Sequence, residues 1–218
     1  MTSPQIIETE GWSFGDWIQA NTKAIGIGAA LIAVGALGYW FYMRSAEIKR
    51  LNAERGLNQA KQALSAGNAA LAQTDLLRVA TRYKGTSAGA QAAMVLAQIN
   101  YDQGKIPEGL KVLEPYQTPS AAGPNLAAVW SLTGDGHMAG GKAAEAAATY
   151  QKAADATKFR AERGFYLAKA ARSLMAIGKN AEARAIWEKL ATDPDALMIR
   201  NEAEIRLGEL TAQPAGKS

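Results

Sequence analysis

The sequence has no cysteine and a single histidine, His137. Without cysteine there can be no disulfides, thiolate metal sites or cysteine nucleophiles, and one histidine cannot form a multi-histidine metal centre. Charge is also modest, because 24 Lys and Arg against 20 Asp and Glu give a formal net charge of +4 over 218 residues. These charges are mild and interspersed, so we expect no nucleic-acid partner, and we expect no metal or cofactor.

One long segment carries no charge at all. Residues 24–43 read AIGIGAALIAVGALGYWFYM and end in aromatic side chains suited to a headgroup interface. As a helix, these residues extend about 30 Å, which is the thickness of a bilayer core. A buried core helix would show a polar stripe, and a cleaved signal peptide would start with a short basic region. We therefore predict an uncleaved transmembrane helix over 23–43, preceded by a short segment over 1–22.

Small residues recur within this apolar segment. Gly26 and Ala30 are four residues apart, as are Ala29 and Ala33. Such spacing lets two helices approach closely in lipid, so these four residues are predicted to pack against another membrane protein. The alternative is that Gly and Ala are simply common in membrane helices.

The charges on either side of the anchor bear on its orientation in the membrane. Only Lys23 and the amino terminus precede it, whereas Arg44, Lys49, Arg50 and Arg55 follow it. The positive-inside rule, taken alone, would keep the C-terminal part of the chain in the cytoplasm.

After the anchor the sequence repeats with a period of 37 residues. Each repeat has a glycine, a small residue five positions later and a large residue four positions after that. The glycines are Gly67, Gly104, Gly141 and Gly178, the small residues Ala72, Gly109, Ala146 and Ala183, and the large residues Leu76, Leu113, Tyr150 and Trp187. All three positions keep the same 37-residue period over four copies. This regularity predicts an all-α solenoid of about four helix pairs. In each pair a left-handed glycine would end the first helix.

The domain limits follow from this period. The helix pairs fall near 53–80, 90–117, 127–155 and 164–192, and the apolar residues of 195–211 predict a final capping helix. The repeat domain is therefore predicted over 44–211 and a flexible tail over 212–218.

The repeat resembles the tetratricopeptide repeat. Its signature spacing is clearest in the third unit, at Trp130, Gly134, Gly141, Ala146, Tyr150 and Ala153. Because the period exceeds the roughly 34 residues of that family, longer connecting loops are expected, one of them at residues 119–124. The resemblance implies that the inner helices line a concave groove. It also implies that the partners are proteins.

If the first helices line such a groove, two rows of residues face it at the 37-residue spacing. The polar row is Lys61, Gln98, Asp135 and Arg172, and the neighbouring row is Leu64, Tyr101, Met138 and Met175. We predict a partner-binding groove for a peptide or protein segment, formed by Lys61, Gln98, Tyr101, Asp135, Met138, Arg172 and Met175. We further expect Asp135 and Arg172 to be groove charges rather than buried structural pairs. The alternative for the second row is that it packs between helices.

One motif imitates a catalytic site. Residues 85–89, GTSAG, match the G-x-S-x-G nucleophile elbow, and Asp102 and His137 follow in hydrolase order. The elbow requires a strand before the serine, but the preceding residues have a helical pattern. We therefore expect a non-enzymatic protein.

The order of features over nearly the full length resembles the YfgM-like family, an ancillary subunit of the bacterial Sec translocon. The resemblance rests on an acidic head, an aromatic-rich stretch, the Asn21-Thr22-Lys23 start and Gly38-Tyr39-Trp40 end of the span, degenerate tetratricopeptide units and a closing helix. It implies an inner-membrane protein with a cytoplasmic N-terminus and a periplasmic repeat domain. The implied partners are the Sec channel, a membrane-anchored prolyl-isomerase-like chaperone and polypeptide clients. The basic residues after the anchor do not fit this topology, because the positive-inside rule would keep them in the cytoplasm.

Two functions follow as alternatives. The first is a membrane-tethered interaction module that assists newly translocated proteins. The second is a structural subunit of another bacterial membrane complex that binds no clients.

Overall fold

The computed structural model describes residues 14–212, and the chain divides into two compact units between Ile48 and Lys49. Most of the predicted N-terminal segment, residues 1–13, and all of the predicted tail except Ala212 lie outside the described residues.

The first unit contains the apolar segment. Helix α1 covers Phe14–Ala20, and helix α2 covers Thr22–Ser65. The large apolar side chains of residues 27–43 are all at least half exposed, as Ile32 at 75% and Trp40 at 64% illustrate. By length and composition, α2 is one helix that could cross a membrane. It does not end at Met43, because residues 39–55 contain neither glycine nor proline and are mostly good helix formers.

The second unit begins with the C-terminal part of α2 and continues as a series of shorter helices joined by turns. These helices are α3 (Ala69–Arg82), α4 (Ser87–Asp102), α5 (Ile106–Leu113), α6 (Pro119–Ala122), α7 (Leu126–Ala139), α8 (Ala143–Ala156), α9 (Arg160–Ala176), α10 (Asn180–Thr192) and α11 (Leu197–Ala212). Residues 14–212 include no strand. The predicted all-α repeat architecture and its capping helix are therefore confirmed.

The four repeat turns share one geometry. Gly67, Gly104, Gly141 and Gly178 have φ between 73° and 77°, in the left-handed region that glycine adopts without a Cβ penalty. After each glycine, the next N–H donates to the carbonyl five residues back, as from Lys142 to His137 at 2.8 Å. The glycine N–H itself donates to the carbonyl three residues back. This is the Schellman motif, which satisfies carbonyls at the end of a helix.

The small and large residues of each repeat form the contacts between helices. All eight are buried, and Leu76, Leu113 and Trp187 are completely inaccessible. At Gly109 even a Cβ would lie 2.3 Å from Cε1 of Tyr101, so the small residue is needed for close helix approach.

Alanine dominates the interior. It supplies 23 of the 36 buried apolar residues in the described part of the chain. Since alanine adds little volume, neighbouring helix backbones approach closely and a few large side chains fill the remaining space.

The predicted loop at residues 119–124 is partly helical. Pro119–Ala122 forms α6, and Gly123–Asn125 forms a 3₁₀ turn that leads into α7. Ala121 and Ala122 are buried in a hydrophobic cluster with Leu113, Tyr116 and Val129, hereafter the first core cluster. Packing therefore orders a segment that glycine and proline mark as a loop.

Candidate functional site

The predicted polar row lies at the solvent side of the first helices. Lys61, Gln98 and Arg172 are exposed, and Asp135 is partly buried. Gln98 donates a hydrogen bond to Asp102 one turn later, at 2.8 Å. The row therefore contains three exposed polar side chains and one that is partly buried.

Asp135 is the centre of a polar cluster that joins three helices. The hydroxyl of Tyr150 on α8 donates to its Oδ1 at 2.6 Å, and Nζ of Lys169 on α9 lies 2.8 Å and 2.9 Å from its two oxygens. The same Nζ donates to Ser131 at 3.2 Å and lies 5.3 Å from the centre of the Tyr150 ring. Asp135 therefore has an ion pair while its side chain remains 39% exposed, and its role in partner binding stays a prediction.

Two glycines flank Asp135 on α7 and make room for aromatic rings. A Cβ at Gly134 would lie 2.5 Å from Cε1 of Tyr150, and a Cβ at Gly136 would lie 2.3 Å from the hydroxyl oxygen of Tyr101. Burial, and secondarily the charge of Asp135, raises the pKa of Tyr101; burial and the hydrogen bond to Asp135 raise the pKa of Tyr150. Both phenols remain protonated near neutral pH, so neither serves as a base.

Arg172 is also paired. Its Nε and Nη2 donate to the two carboxylate oxygens of Glu202 on α11, at 2.7 Å and 2.6 Å. This bidentate contact lowers the pKa of Glu202 and raises the pKa of Arg172. The pair links α9 to the capping helix, while the Arg172 side chain remains 43% exposed. Its role in partner binding stays a prediction.

The second row contacts neighbouring helices. Leu64 packs on the first core cluster, and the Tyr101 ring lies against Gly109 and Gly136. The sulfur of Met175 accepts from Nε1 of Trp187 at 3.3 Å. Met138 accepts from Ser173 at 3.2 Å yet remains 37% exposed. Packing between helices, the alternative raised from the sequence, accounts for these contacts. The accessible set is thus Lys61, Gln98, Met138 and Arg172, hereafter the first-helix surface.

Two concavities lie away from these rows. A pocket of about 770 Å³ lies between the loops that precede α7 and α9, with Pro119, Pro124, Phe159 and Tyr166 among its lining residues. A groove of about 560 Å³ lies between α3 and α5. Sequence reasoning missed both because their residues fall outside the repeated positions. Two sequence features do fall in the larger pocket: the predicted loop at residues 119–124 and Phe159, an aromatic residue outside the repeated positions that is 68% exposed.

The apparent catalytic motif forms a helix start. Thr86 caps α4, accepting from the N–H of Gly89 at 3.0 Å and donating to the carbonyl of Tyr83 at 2.7 Å. Ser87 is the first residue of α4, and the preceding element is helix α3 rather than a strand. Among residues 14–212 no group of three or more His, Asp or Glu could hold a metal ion.

The small residues of the apolar helix form an open face in the first unit. Gly26, Ala29, Ala30 and Ala33 are all exposed, and a Cβ at Gly26 would contact nothing within 4 Å. The face is sterically available, and its packing against a membrane protein stays a prediction.

Comparisons with known proteins agree with this architecture. A family profile described as a tetratricopeptide repeat-like domain matches residues 52–169, more than half of the chain. Two solved structures of a Podosopora anserina protein, assigned as a kinesin light chain with nearly identical TPR-like repeats, have TM-scores of 0.54 and identities of 19% and 18%. Each match covers 75% of this chain and 94% of the solved chain, and at these identities it supports the fold alone. No curated protein matches the sequence. Helical repeats of this type are typically protein-interaction scaffolds rather than enzymes. The chain belongs to the tetratricopeptide repeat-like domain family.

Proposed function

We propose that the chain is a non-enzymatic interaction module tethered to a membrane by residues 23–43. The observation that carries the proposal is the combination of a tetratricopeptide repeat-like domain with an apolar helix whose large side chains are exposed. Exposed apolar surface of this extent is unfavourable in water and favourable in a bilayer. The repeat domain supplies the protein-binding surface, and the tether keeps it near membrane partners.

The specific function proposed is assistance to newly translocated proteins as an ancillary component of the Sec translocon. In this arrangement the N-terminus is cytoplasmic, the anchor lies in the bacterial inner membrane and the repeat domain is periplasmic. Its partners are the Sec channel, a membrane-anchored prolyl-isomerase-like chaperone and polypeptide clients. The support is the resemblance in the order of features described from the sequence.

The proposed mechanism is binding at two points. The Gly26–Ala33 face packs on a membrane partner, and the first-helix surface engages a soluble segment. Because the anchor confines the domain to the membrane, the effective concentration is high and weak contacts suffice. Asp135, whose side chain is 39% exposed, adds a charge to this surface, and the partly buried Tyr101 and Met175 complete the predicted groove.

Site-specific crosslinking of the full-length chain in its native membrane tests the surface. A photoreactive residue at Gln98 or Met138 is expected to capture a protein, whereas one at Gln151, exposed on helix α8, is the matched control and should capture little. Capture at Gln151 alone would move the binding site to the outer helices and contradict the proposal.

Protease treatment of intact spheroplasts tests the orientation. Digestion of the repeat domain is expected if it is periplasmic. Protection in intact spheroplasts, followed by digestion after lysis, would favour the orientation indicated by the basic residues after the anchor.

The second candidate is a structural subunit of another membrane complex, and an observation on α11 favours it. Leu197, Met198 and Ile205 of the capping helix are 65%, 80% and 62% exposed, whereas the outer face of a terminal repeat is usually polar. A permanent partner would cover this face. A stable complex in gentle detergent with no suppression of client aggregation would favour this candidate; suppression of aggregation would favour the first.

A further inference from the structure

The charge of the chain is concentrated in one region. Residues 44–84 contain eight Lys and Arg against three acids, whereas the chain as a whole has a net charge of only +4. This region comprises the end of α2, all of α3 and the turn before α4. Residues 44–84 are therefore basic, and the rest of the chain is close to neutral.

Within the second unit, part of this charge surrounds a small groove between α2 and α3. The groove has a volume of about 220 Å³, and its polar lining residues are Asn52, Arg55, Gln59, Arg78 and Arg82, with no acid among them. All five side chains can donate hydrogen bonds, and arginine matches the oxygens of a phosphate in two-point contacts. We refer to these five residues as the basic groove.

Neighbouring contacts hold the basic groove in shape. Arg78 is fixed by Asp75, which is 2.7 Å away, and the guanidinium of Arg82 lies 5.9 Å from the centre of the Tyr83 ring. A Cβ at Gly56 would lie 2.7 Å from Val79, so α2 and α3 approach closely beneath the groove. Arg78 and Arg82 thus have defined neighbours, and the carboxylate of Asp75 offsets one of the three arginine charges, so the groove keeps a net positive charge.

The first residues of the basic groove follow the proposed membrane span closely in the sequence. Lys49 follows Met43, the last residue of the uncharged segment, by six residues. Even a fully extended chain of six residues covers only about 20 Å. Lys49 also donates through Nζ to the carbonyl of Lys84 at 3.0 Å, which adds a further cation beside the end of α3. An anionic lipid surface attracts basic residues that follow a membrane span, and this attraction weakens over a Debye length of about 8–10 Å.

We propose that the basic groove binds phosphate headgroups of anionic phospholipids in the bilayer that α2 crosses. This inference rests on the proposed membrane tether, and it adds a second attachment that restrains the repeat domain at the lipid surface. Charge complementarity and sequence continuity with the apolar span favour lipid as the occupant. The phosphate chemistry is also that of free inorganic phosphate, which the experiment separates.

The full-length chain in nanodiscs tests the proposal. Because the protein has no cysteine, Thr81→Cys, next to Arg82 on α3, provides a single site for a fluorophore. Quenching by headgroup-labelled lipids is measured in discs of neutral lipid and in discs containing phosphatidylglycerol. We expect several-fold stronger quenching in the anionic discs and a decrease at high salt.

Two double variants separate the basic groove from general charge. Replacing Arg55 and Arg82 by Gln is expected to weaken the attraction by roughly tenfold or more. Replacing Arg184 and Lys189 on α10 removes the same charge and should leave quenching unchanged. Equal quenching in neutral and anionic discs, or equal effects of the two double variants, would overturn the proposal.

Two further controls identify why a negative result occurs. Inorganic phosphate, added at constant ionic strength, should not change the fluorescence in neutral discs; a change there would assign the basic groove to free phosphate instead of lipid. Size-exclusion chromatography tests the tether independently. Failure to co-elute with either kind of disc overturns both the tether and this inference, whereas co-elution without lipid dependence overturns the headgroup site alone.

Discussion

Replacing Trp187 by Ala should be among the most damaging single substitutions in the repeat domain. Trp187 is completely buried in the second core cluster, together with Leu190, Ile199 and Ala203. Its indole N–H donates to the sulfur of Met175 at 3.3 Å. One side chain thus connects α10 with α9 and with the capping helix.

The magnitude follows from the buried area and the cavity. A buried aromatic side chain removes roughly 150–250 Å² from water. Truncation of a buried Trp to Ala costs about 3–5 kcal/mol, a large share of a typical stability of about 5–15 kcal/mol. For a domain of this size each kcal/mol lowers Tm by about 2–4 °C, so a decrease of roughly 6–20 °C is expected. The alanines around the site cannot fill the cavity, which favours the upper part of this range.

Thermal unfolding of the full-length chain in detergent, followed by helical circular dichroism, measures the change. The matched control is Trp130→Ala, because Trp130 is only partly buried and has Lys152 4.7 Å above its ring. We expect the control to lose clearly less stability, and Trp187→Phe, which keeps a ring but not the indole donor, to fall between the two. A decrease of only about 2 °C for Trp187→Ala would refute the assignment of this residue as the link to the capping helix.

Three further predictions concern the repeat turns, the polar cluster and the capping helix. Gly178→Ala should lower the free energy of unfolding by about 1–2 kcal/mol, because φ is 73° at this position. Gly208→Ala should raise it by up to about 1 kcal/mol, because Gly208 lies within a helix and a Cβ there would meet no other atom within 4 Å. Urea unfolding of both variants measures the two changes. Gly134→Ala should cost about 1–3 kcal/mol in the same assay, since its Cβ would meet the Tyr150 ring, and a neutral effect would contradict the close packing. The lowered pKa of Glu202 means that its ion pair stabilises the fold above the ordinary value of 4.5 and is lost as pH falls through the lowered pKa. Melting curves at descending pH should therefore converge for the wild type and Glu202→Gln, and a constant difference would contradict the pairing.

The repeated features could be predicted from the sequence because their causes are local. A left-handed residue at the end of a helix favours glycine independently of the rest of the fold. Gly67 and its three equivalents therefore recur in the sequence at a constant spacing. The same is true of the apolar span, where composition alone determines what the helix can do in lipid. These signals were sufficient for the helix pairs, the capping helix and the identity of the buried large residues.

The polar contacts could not be predicted because they do not follow the period. Asp135 pairs with Lys169, which lies 34 positions later rather than 37, and Arg172 pairs with Glu202 on the non-repeating capping helix. Side-chain partners depend on how helices rotate against each other, which a period does not specify. The two glycines beside Asp135 were a usable signal, since interior helix glycine is unfavourable unless something packs against it.

The alanine-rich interior has a consequence for how this domain can change over evolutionary time. A core made of leucine or isoleucine accumulates mutations mainly by losing volume, and each loss leaves a void. Here 23 of the 36 buried apolar positions in the described part are already alanine, and at those positions every substitution except glycine adds volume. Added volume must be absorbed by spreading two helices, and the displacement accumulates along a stack of repeats. At these positions the limit is the largest side-chain volume that fits, not the smallest. Sequence variation is therefore expected mainly on exposed helix faces and connecting turns, which are the surfaces that contact partners.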